Sequence, residues 1–177
     1  MTQMQEHTAA VDSARTRTYS WSDPHATAAG VGRLSGREML QAIARGELPP
    51  PPIMHTLDMD GFEFLGEGRC AFLMQAQEFH YNPLGTVHGG VIATLLDSAA
   101  GCAVHSTLPA GWGYTSLDLT TKYLRPATVD SGRMRCEGSV INRGRTTALA
   151  EARLLDERGR LLAYASSSCL LFELPTA

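Results

Sequence analysis

The sequence predicts an α+β domain in which one strongly curved antiparallel sheet wraps around a single long central helix, with a helical extension on the N-terminal side. Three observations carry this. From residue 53 onward the chain reads as short strand-like segments separated by turn signals. Between the second and third of them, residues 89–107 are apolar or small around nearly the whole circumference of a helix, which must then be buried on most sides. Ahead of residue 53, four prolines at 49–52 close off a capped amphipathic helix.

Residues 1–33 form a polar extension rich in Thr, Ala and Ser, expected to be partly mobile apart from a short helix opened by Ser22, Asp23 and Pro24. Over 34–52 the signals sharpen. Ser35 and Glu38 have capping-box spacing, and Leu34 and Met39 have the spacing of a hydrophobic staple. Met39, Leu40 and Ile43 then share one helical face up to Gly46, and the proline run reads as a stiff spacer. Residues 53–175 make the main domain, with strands expected at 54–65, 68–77, 114–124, 132–141, 146–156 and 161–172. Turn chemistry separates the later ones at Asp130-Ser131-Gly132, Asn142-Arg143-Gly144 and Asp156-Glu157-Arg158-Gly159. The simplest arrangement is an antiparallel meander in the order β–β–α–β–β–β–β.

Composition narrows the function classes. The 177 residues suit one compact domain. With 19% charged residues the chain falls below the roughly 25% of average domains, as if part of its surface were buried against another copy. A net charge of −3 and no basic run leave no electrostatic footprint for nucleic acid. The longest apolar stretch, 91–104, is broken by Asp97 and is shorter than the roughly 20 residues needed to cross a bilayer. The first 30 residues lack the apolar core of a secretory signal, and Glu6 and Asp12 do not suit a transit peptide, so the cytoplasm is the expected location. Cys70, Cys102, Cys136 and Cys169 are too far apart for metal-ligand pairs and read as reduced core thiols.

One segment carries chemistry. Between residues 82 and 117 the only side chain expected to be ionised, with the histidines neutral, is Asp97, inside the apolar helix. A carboxylate there loses solvation and needs a partner, a water or a job. Asn82-Pro83-Leu84-Gly85-Thr86-Val87-His88-Gly89-Gly90 makes a polar, glycine-rich approach to the helix start. First-turn N–H groups point outward with the positive end of the helix dipole, which suits a polarised carbonyl. A phosphate fits less well, since there is no GxxxxGK[ST] and no nearby Lys. The plain alternative is that Gly89 and Gly90 only allow tight packing, and that Asp97 is structural.

Spacing adds a constraint. Asp97 is eight residues after Gly89, about 12 Å further along a helix. If the Gly89 N–H holds a carbonyl oxygen while Asp97 acts at its carbon, the two come from different subunits whose central helices lie side by side and antiparallel. The catalytic reading therefore predicts a two-fold dimer with two sites.

Asn82, His88-Gly89-Gly90 and Asp97, followed by Tyr123-Leu124-Arg125-Pro126-Ala127 and the turn Asn142-Arg143-Gly144-Arg145, resemble as a set the hotdog-fold acyl-CoA thioesterases of the PaaI type, over residues 55–172. The resemblance implies a hydrolase in which Asp97 is nucleophile or general base and the Gly89 N–H polarises the thioester carbonyl. Asn82 and His88 would hold the thioester end or the attacking water. Thr115, with Ser116 as substitute, would match a water-orienting position. Gly90, Arg125, Pro126, Arg143, Gly144 and Arg145 would line the coenzyme A path, the arginines facing its phosphates. No metal or cofactor is implied beyond the coenzyme A of the substrate. The implied assembly is a homodimer with shared active sites, as such or paired into a tetramer. Outside the resemblance, the N-terminal helix has an apolar face that is expected to pack over the barrel or the dimer edge, either narrowing the acyl tunnel or packing with no role in substrate binding. Two other readings stay open: a non-catalytic or regulatory acyl-CoA-binding dimer, and an acyl-thioester dehydratase or hydratase.

Overall fold

The computed structural model describes residues 14–28 and 30–175; the expected extension over 1–13 lies outside the described residues. Three short helices lead into the sheet: α1 (Pro24–Ala28), α2 (Gly36–Ala44) and α3 (Pro52–Thr56). The capping box of α2 is formed, with the Glu38 N–H donating to Ser35 Oγ at 3.3 Å and the Ser35 N–H to Glu38 Oε2 at 2.9 Å. A strand was expected to begin at 54, but residues 52–56 are helical. The last proline of the run sits at the first helical position, where its fixed φ and missing N–H suit a helix start. The turn out of α3 passes through Asp58 in the left-handed region, and β1 begins one residue later.

The sheet has seven strands: β1 (Met59–Gly66), β2 (Arg69–Gln75), β3 (Trp112–Ser116), β4 (Thr120–Tyr123), β5 (Arg133–Arg143), β6 (Thr147–Leu155) and β7 (Leu161–Glu173). Their spatial order is β1-β2-β5-β6-β7-β3, with β4 also on β7, and every pairing is antiparallel. This corrects the expected meander: the third strand crosses over to pair with β7, and β2 lies beside β5. The segment expected as one strand over 114–124 is β3 and β4 separated by a bulge. Ser116 pairs with Cys169 and Thr120 with Ser166, so three residues on this side, 117–119, face two on β7. Asp118 fills the gap: its carboxylate accepts the Ser168 N–H at 3.0 Å and its carbonyl the Ser167 hydroxyl at 2.8 Å.

Helix α4 (Gly89–His105) lies in the concave face of this sheet and contacts β2 through β7. Leu95, Leu96, Ala99, Ala100, Ala103 and Val104 are fully buried, as expected of a helix apolar on most sides. It sits so close to β5 that a Cβ at Gly138 would overlap the Ala99 carbonyl, which also accepts the Cys70 thiol. Helix α2 is anchored to the far end of α4. The Gly36 N–H donates to the Leu108 carbonyl at 3.0 Å, and Gly36 has no room for a side chain beside the His105 carbonyl. All four cysteines are free. Burial pushes the Cys70 and Cys136 thiols upward, and Cys102, with the Asp97 charge adding to burial, to about 12, so these groups are thiols at neutral pH.

Candidate active site

The approach to α4 is built from its own side chains. Asn82-Pro83-Leu84-Gly85 forms a turn closed by the Gly85 N–H on the Asn82 carbonyl at 3.0 Å, with Pro at the second position and a positive-φ Gly at the fourth. Asn82 Oδ1 accepts the N–H of Leu84 at 2.9 Å, and its Nδ2 donates to Thr86 Oγ1 at 3.0 Å. Asn82 therefore shapes the loop, and one of its two amide hydrogens is left over.

His88 is the N-cap of α4. Its Nδ1 accepts the Gly90 N–H at 2.9 Å, and its carbonyl takes the N–H of Val91. An accepting Nδ1 makes the imidazole neutral with its proton on Nε2, directed away from the cap. The N–H of Gly89 is the one first-turn donor that this cap does not claim. Tyr123 covers Gly89: its hydroxyl donates to the Gly89 carbonyl at 3.0 Å, and any side chain at 89 would meet its ring. Asn82, Gly89, Tyr123, Arg125 and Pro126 share an open cleft of about 370 Å³.

The carboxylate stands elsewhere. Asp97 Oδ1 accepts the Ser116 hydroxyl at 3.0 Å across the α4–β3 boundary. Thr115, one residue earlier on the strand, points to the opposite face. Of the two hydroxyls named from the sequence, the structure brings Ser116 to Asp97. Neither residue lines the Gly89 cleft, and the two ends of the site are about 12 Å apart along α4.

The arginines divide the same way. Arg125 follows β4 and donates to the Leu161 carbonyl at 2.6 Å, beside the Gly89 cleft. Arg143, Gly144 and Arg145 form the β5–β6 turn at the other end of β6, next to Thr147 and Leu170 and hence near Ser116. Within one chain the two cationic groups are therefore separated by the length of β6, about 27 Å at the rise of a strand. Among the described residues no group of three or more His, Cys, Asp or Glu side chains is placed to hold a metal ion. No described helix is long and apolar enough to cross a membrane.

The family model of the thioesterase superfamily matches residues 84–163, the stretch from the turn before α4 into β7. The chain is 31% identical over 97 residues to acyl-coenzyme A thioesterase 13 of Homo sapiens, a match covering 54% of this chain and 68% of that protein. It belongs to the thioesterase superfamily. Two other curated relatives are covered less completely. The match spans 44% of an esterase of Halobacterium salinarum (44% identity over 69 residues, 38% of this chain) and 64% of the Mus musculus acyl-coenzyme A thioesterase 13 (34% over 91 residues, 51% of this chain). Among solved structures, a phenylacetic acid degradation-related thioesterase from Ralstonia eutropha JMP134 shares 28% identity, with a TM-score of 0.67 over 74% of this chain and 98% of that one. The PaaI protein of E. coli, at 20% identity and a TM-score of 0.67, shares the hotdog fold over 80% of this chain and 99% of its own.

Two residues of the site have no role assigned to them from the sequence. Tyr123 was visible only as part of the strand end before Arg125-Pro126. Gly101, one turn after Asp97, lets the Tyr114 ring lie directly on α4, where a Cβ would meet the Tyr114 hydroxyl at 2.6 Å; a small residue in an apolar helix gives no hint of its partner.

Proposed function

We propose that the protein hydrolyses acyl-coenzyme A thioesters to the free acid and coenzyme A, as a homodimer that completes each active site from two subunits. The observation that carries this reading is the division of the site along α4. One end offers the Gly89 N–H over an open cleft, and the other a carboxylate aligned by a hydroxyl, too far away to serve the same carbonyl. Two copies of α4 packed side by side and antiparallel bring the Gly89 end of one to the Asp97 end of the other. The same operation brings Arg125 of one subunit towards the Arg143–Arg145 turn of its partner, forming a path for the coenzyme A phosphates. The edge strand β3 and the exposed apolar Leu117, Tyr123 and Leu124 offer surface for that contact. Further pairing of such dimers into a tetramer is compatible with the same site.

In this mechanism the Gly89 N–H stabilises negative charge developing on the thioester oxygen. Asp97 takes a proton from a water whose oxygen bonds to the carbonyl carbon; the C–S bond then breaks and the coenzyme A sulfur leaves with a proton. Attack by Asp97 itself, through an anhydride that water opens, uses the same residues. Asn82 and His88 orient the thioester end through the remaining amide hydrogen and Nε2–H. No cofactor is needed beyond the coenzyme A of the substrate, and the cytoplasm is the proposed location. The test is release of free thiol from a panel of acyl-coenzyme A thioesters. We expect turnover in the wild type and a loss of at least a hundredfold in Asp97→Asn with fold and assembly retained. Near-normal turnover of the variant, or tight binding of every thioester without thiol release, overturns the reading.

A further inference from the structure

The chain ahead of α1 lies outside the residues matched by the family model, yet it is fastened to the segment that leads into the candidate site. Arg17 reaches two parts of the fold at once. Its guanidinium donates to the carbonyls of His55 and Thr56 at 2.6 and 2.8 Å, at the end of α3, and stands 3.5 Å from the Asp58 carboxylate. It also lies 4.3 Å from the centroid of the Phe79 ring. A helix end leaves carbonyls in need of partners, and the turn that follows passes through Asp58 in the left-handed region, where a residue with a Cβ is disfavoured. Bonds from outside therefore help to hold this turn.

His80 ties the same turn to the approach. It ends the short 3-10 turn Glu78–His80, is 3% exposed, and has the Phe79 ring edge-on at 4.4 Å between centroids. Its Nδ1 accepts the Gln77 N–H at 3.1 Å, so the ring proton is on Nε2, which donates to the Leu57 carbonyl at 2.9 Å. Burial holds the imidazole below its usual pKa, and the neutral ring that both bonds require is the form present at pH 7.

The backbone carries the constraint onward. The His80 carbonyl accepts the His88 N–H at 2.8 Å, and inside that bond Tyr81 pairs with Val87 while the Asn82 N–H donates to the Thr86 carbonyl at 2.8 Å. The His80–His88 bond thus closes the base of the loop that bears Asn82, and it anchors the residue whose Nδ1 caps α4 through the Gly90 N–H.

We propose that Arg17 and His80 are positioning residues of the hydrolytic site: Arg17 clamps the end of α3 to Phe79, and His80 passes that constraint through its carbonyl to His88, which keeps the Nε2–H of His88 and the N–H of Gly89 in place for the thioester. This deepens the thioesterase reading and rests on it. Neither residue touches the substrate. Because small misplacements of such groups cost rate more than binding, the effect belongs in kcat.

The test joins thiol release to amide hydrogen exchange followed by NMR on the full chain. Arg17→Ala should lower kcat on the best thioester by about tenfold with KM within about twofold. The His88 and Gly90 amides should exchange about tenfold faster or more, with the amides of central β6 unchanged. Arg17→Lys, which keeps the charge beside Asp58 but not the planar fork across two carbonyls, should fall between the two proteins. His80→Ala should behave like Arg17→Ala, and His80→Gln, which keeps an acceptor and a donor, should recover most of the wild-type kcat. Melting temperatures identify any variant that fails to fold, and Arg17→Lys carries the comparison if the alanine variants do. Unchanged exchange at His88 and Gly90 in folded variants overturns the inference, whatever happens to kcat. Faster exchange there with kcat unchanged overturns the role in the reaction, and faster exchange throughout β6 as well reduces both residues to general stability. A wild type that releases no thiol from any acyl-coenzyme A, while the exchange differences stand, overturns the thioesterase reading and leaves the clamp.

Discussion

Ser116 and Thr115 show what one residue of strand register decides. Successive side chains of a strand point to opposite faces, so only one of two adjacent hydroxyls can meet a carboxylate on the helix beneath. The Ser116 hydroxyl does so at 3.0 Å. A hydrogen bond to a charged group contributes about 1.5–3 kcal/mol, so Ser116→Ala should lower kcat/KM on the best thioester by about tenfold or more, and Thr115→Val by less. The reverse order in steady-state assays would return the water-orienting role to Thr115. Residue types in the candidate site could be read from the chain, because an ionisable group in an apolar helix and a glycine-rich approach are anomalies that composition exposes. Facing could not: Thr115 and Ser116 are both small hydroxyls, and the pairing with β7 that orients them depends on residues more than fifty positions away.

At the scale of elements, local signals succeeded where the physics is local. The Ser35–Glu38 capping box and the Leu34–Met39 staple concern one turn of helix, and α2 begins where they place it. Ser35→Ala should cost about 1 kcal/mol, visible as a fall in melting temperature of about 2–4 °C. The break between β3 and β4 was illegible because it depends on Asp118 reaching Ser168 and Ser167 of β7, a contact no window around 118 contains. Helix α3 escaped for a different reason: a proline run stops one helix and, at its last residue, starts the next. The turn between β6 and β7 makes a prediction about acid. Burial alone would raise the Asp156 pKa, but the N–H and guanidinium of Arg160 and the N–H of Arg158 outweigh it and hold it below the usual carboxylate value. A group depressed in the folded state stabilises above its unfolded pKa of about 3.9, and that contribution is lost as pH falls through the lower folded value. Asp156→Asn should therefore lower the melting temperature at pH 7 and lose less of it than the wild type between pH 5 and pH 2. A parallel pH dependence of the two proteins would show that the Asp156 charge contributes nothing.

At the scale of the whole molecule, the proposed site depends on how firmly α4 is held. Helix α4 is so closely held by the sheet that it cannot slide: Gly138 has no space for a Cβ beside Ala99, and Gly138→Ala should destabilise the fold by on the order of 3 kcal/mol in denaturant titrations. A helix fixed in this way keeps Gly89 at its start and Asp97 at its middle, about 12 Å apart, and under the proposed mechanism a complete site takes a partner in reversed orientation. That geometry has a consequence that a one-chain site does not share. Substituting Gly89 by Val should inactivate one end by displacing Tyr123 and covering the N–H, while Asp97→Asn inactivates the other. Each variant alone forms dimers with two dead sites. In a mixed dimer, one site receives both substitutions and the other receives neither. Unfolding and refolding the two variants together in equal amounts should thus restore about a quarter of the wild-type sites, since half of the dimers are mixed and each has one intact site. Activity reappearing on mixing, with a thiol-release rate that follows the mixed fraction, would place the Gly89 N–H and Asp97 of one reaction on different subunits. Two inactive variants that stay inactive together, while still forming mixed dimers by size and mass, would confine both groups to one chain and remove the argument for a shared site.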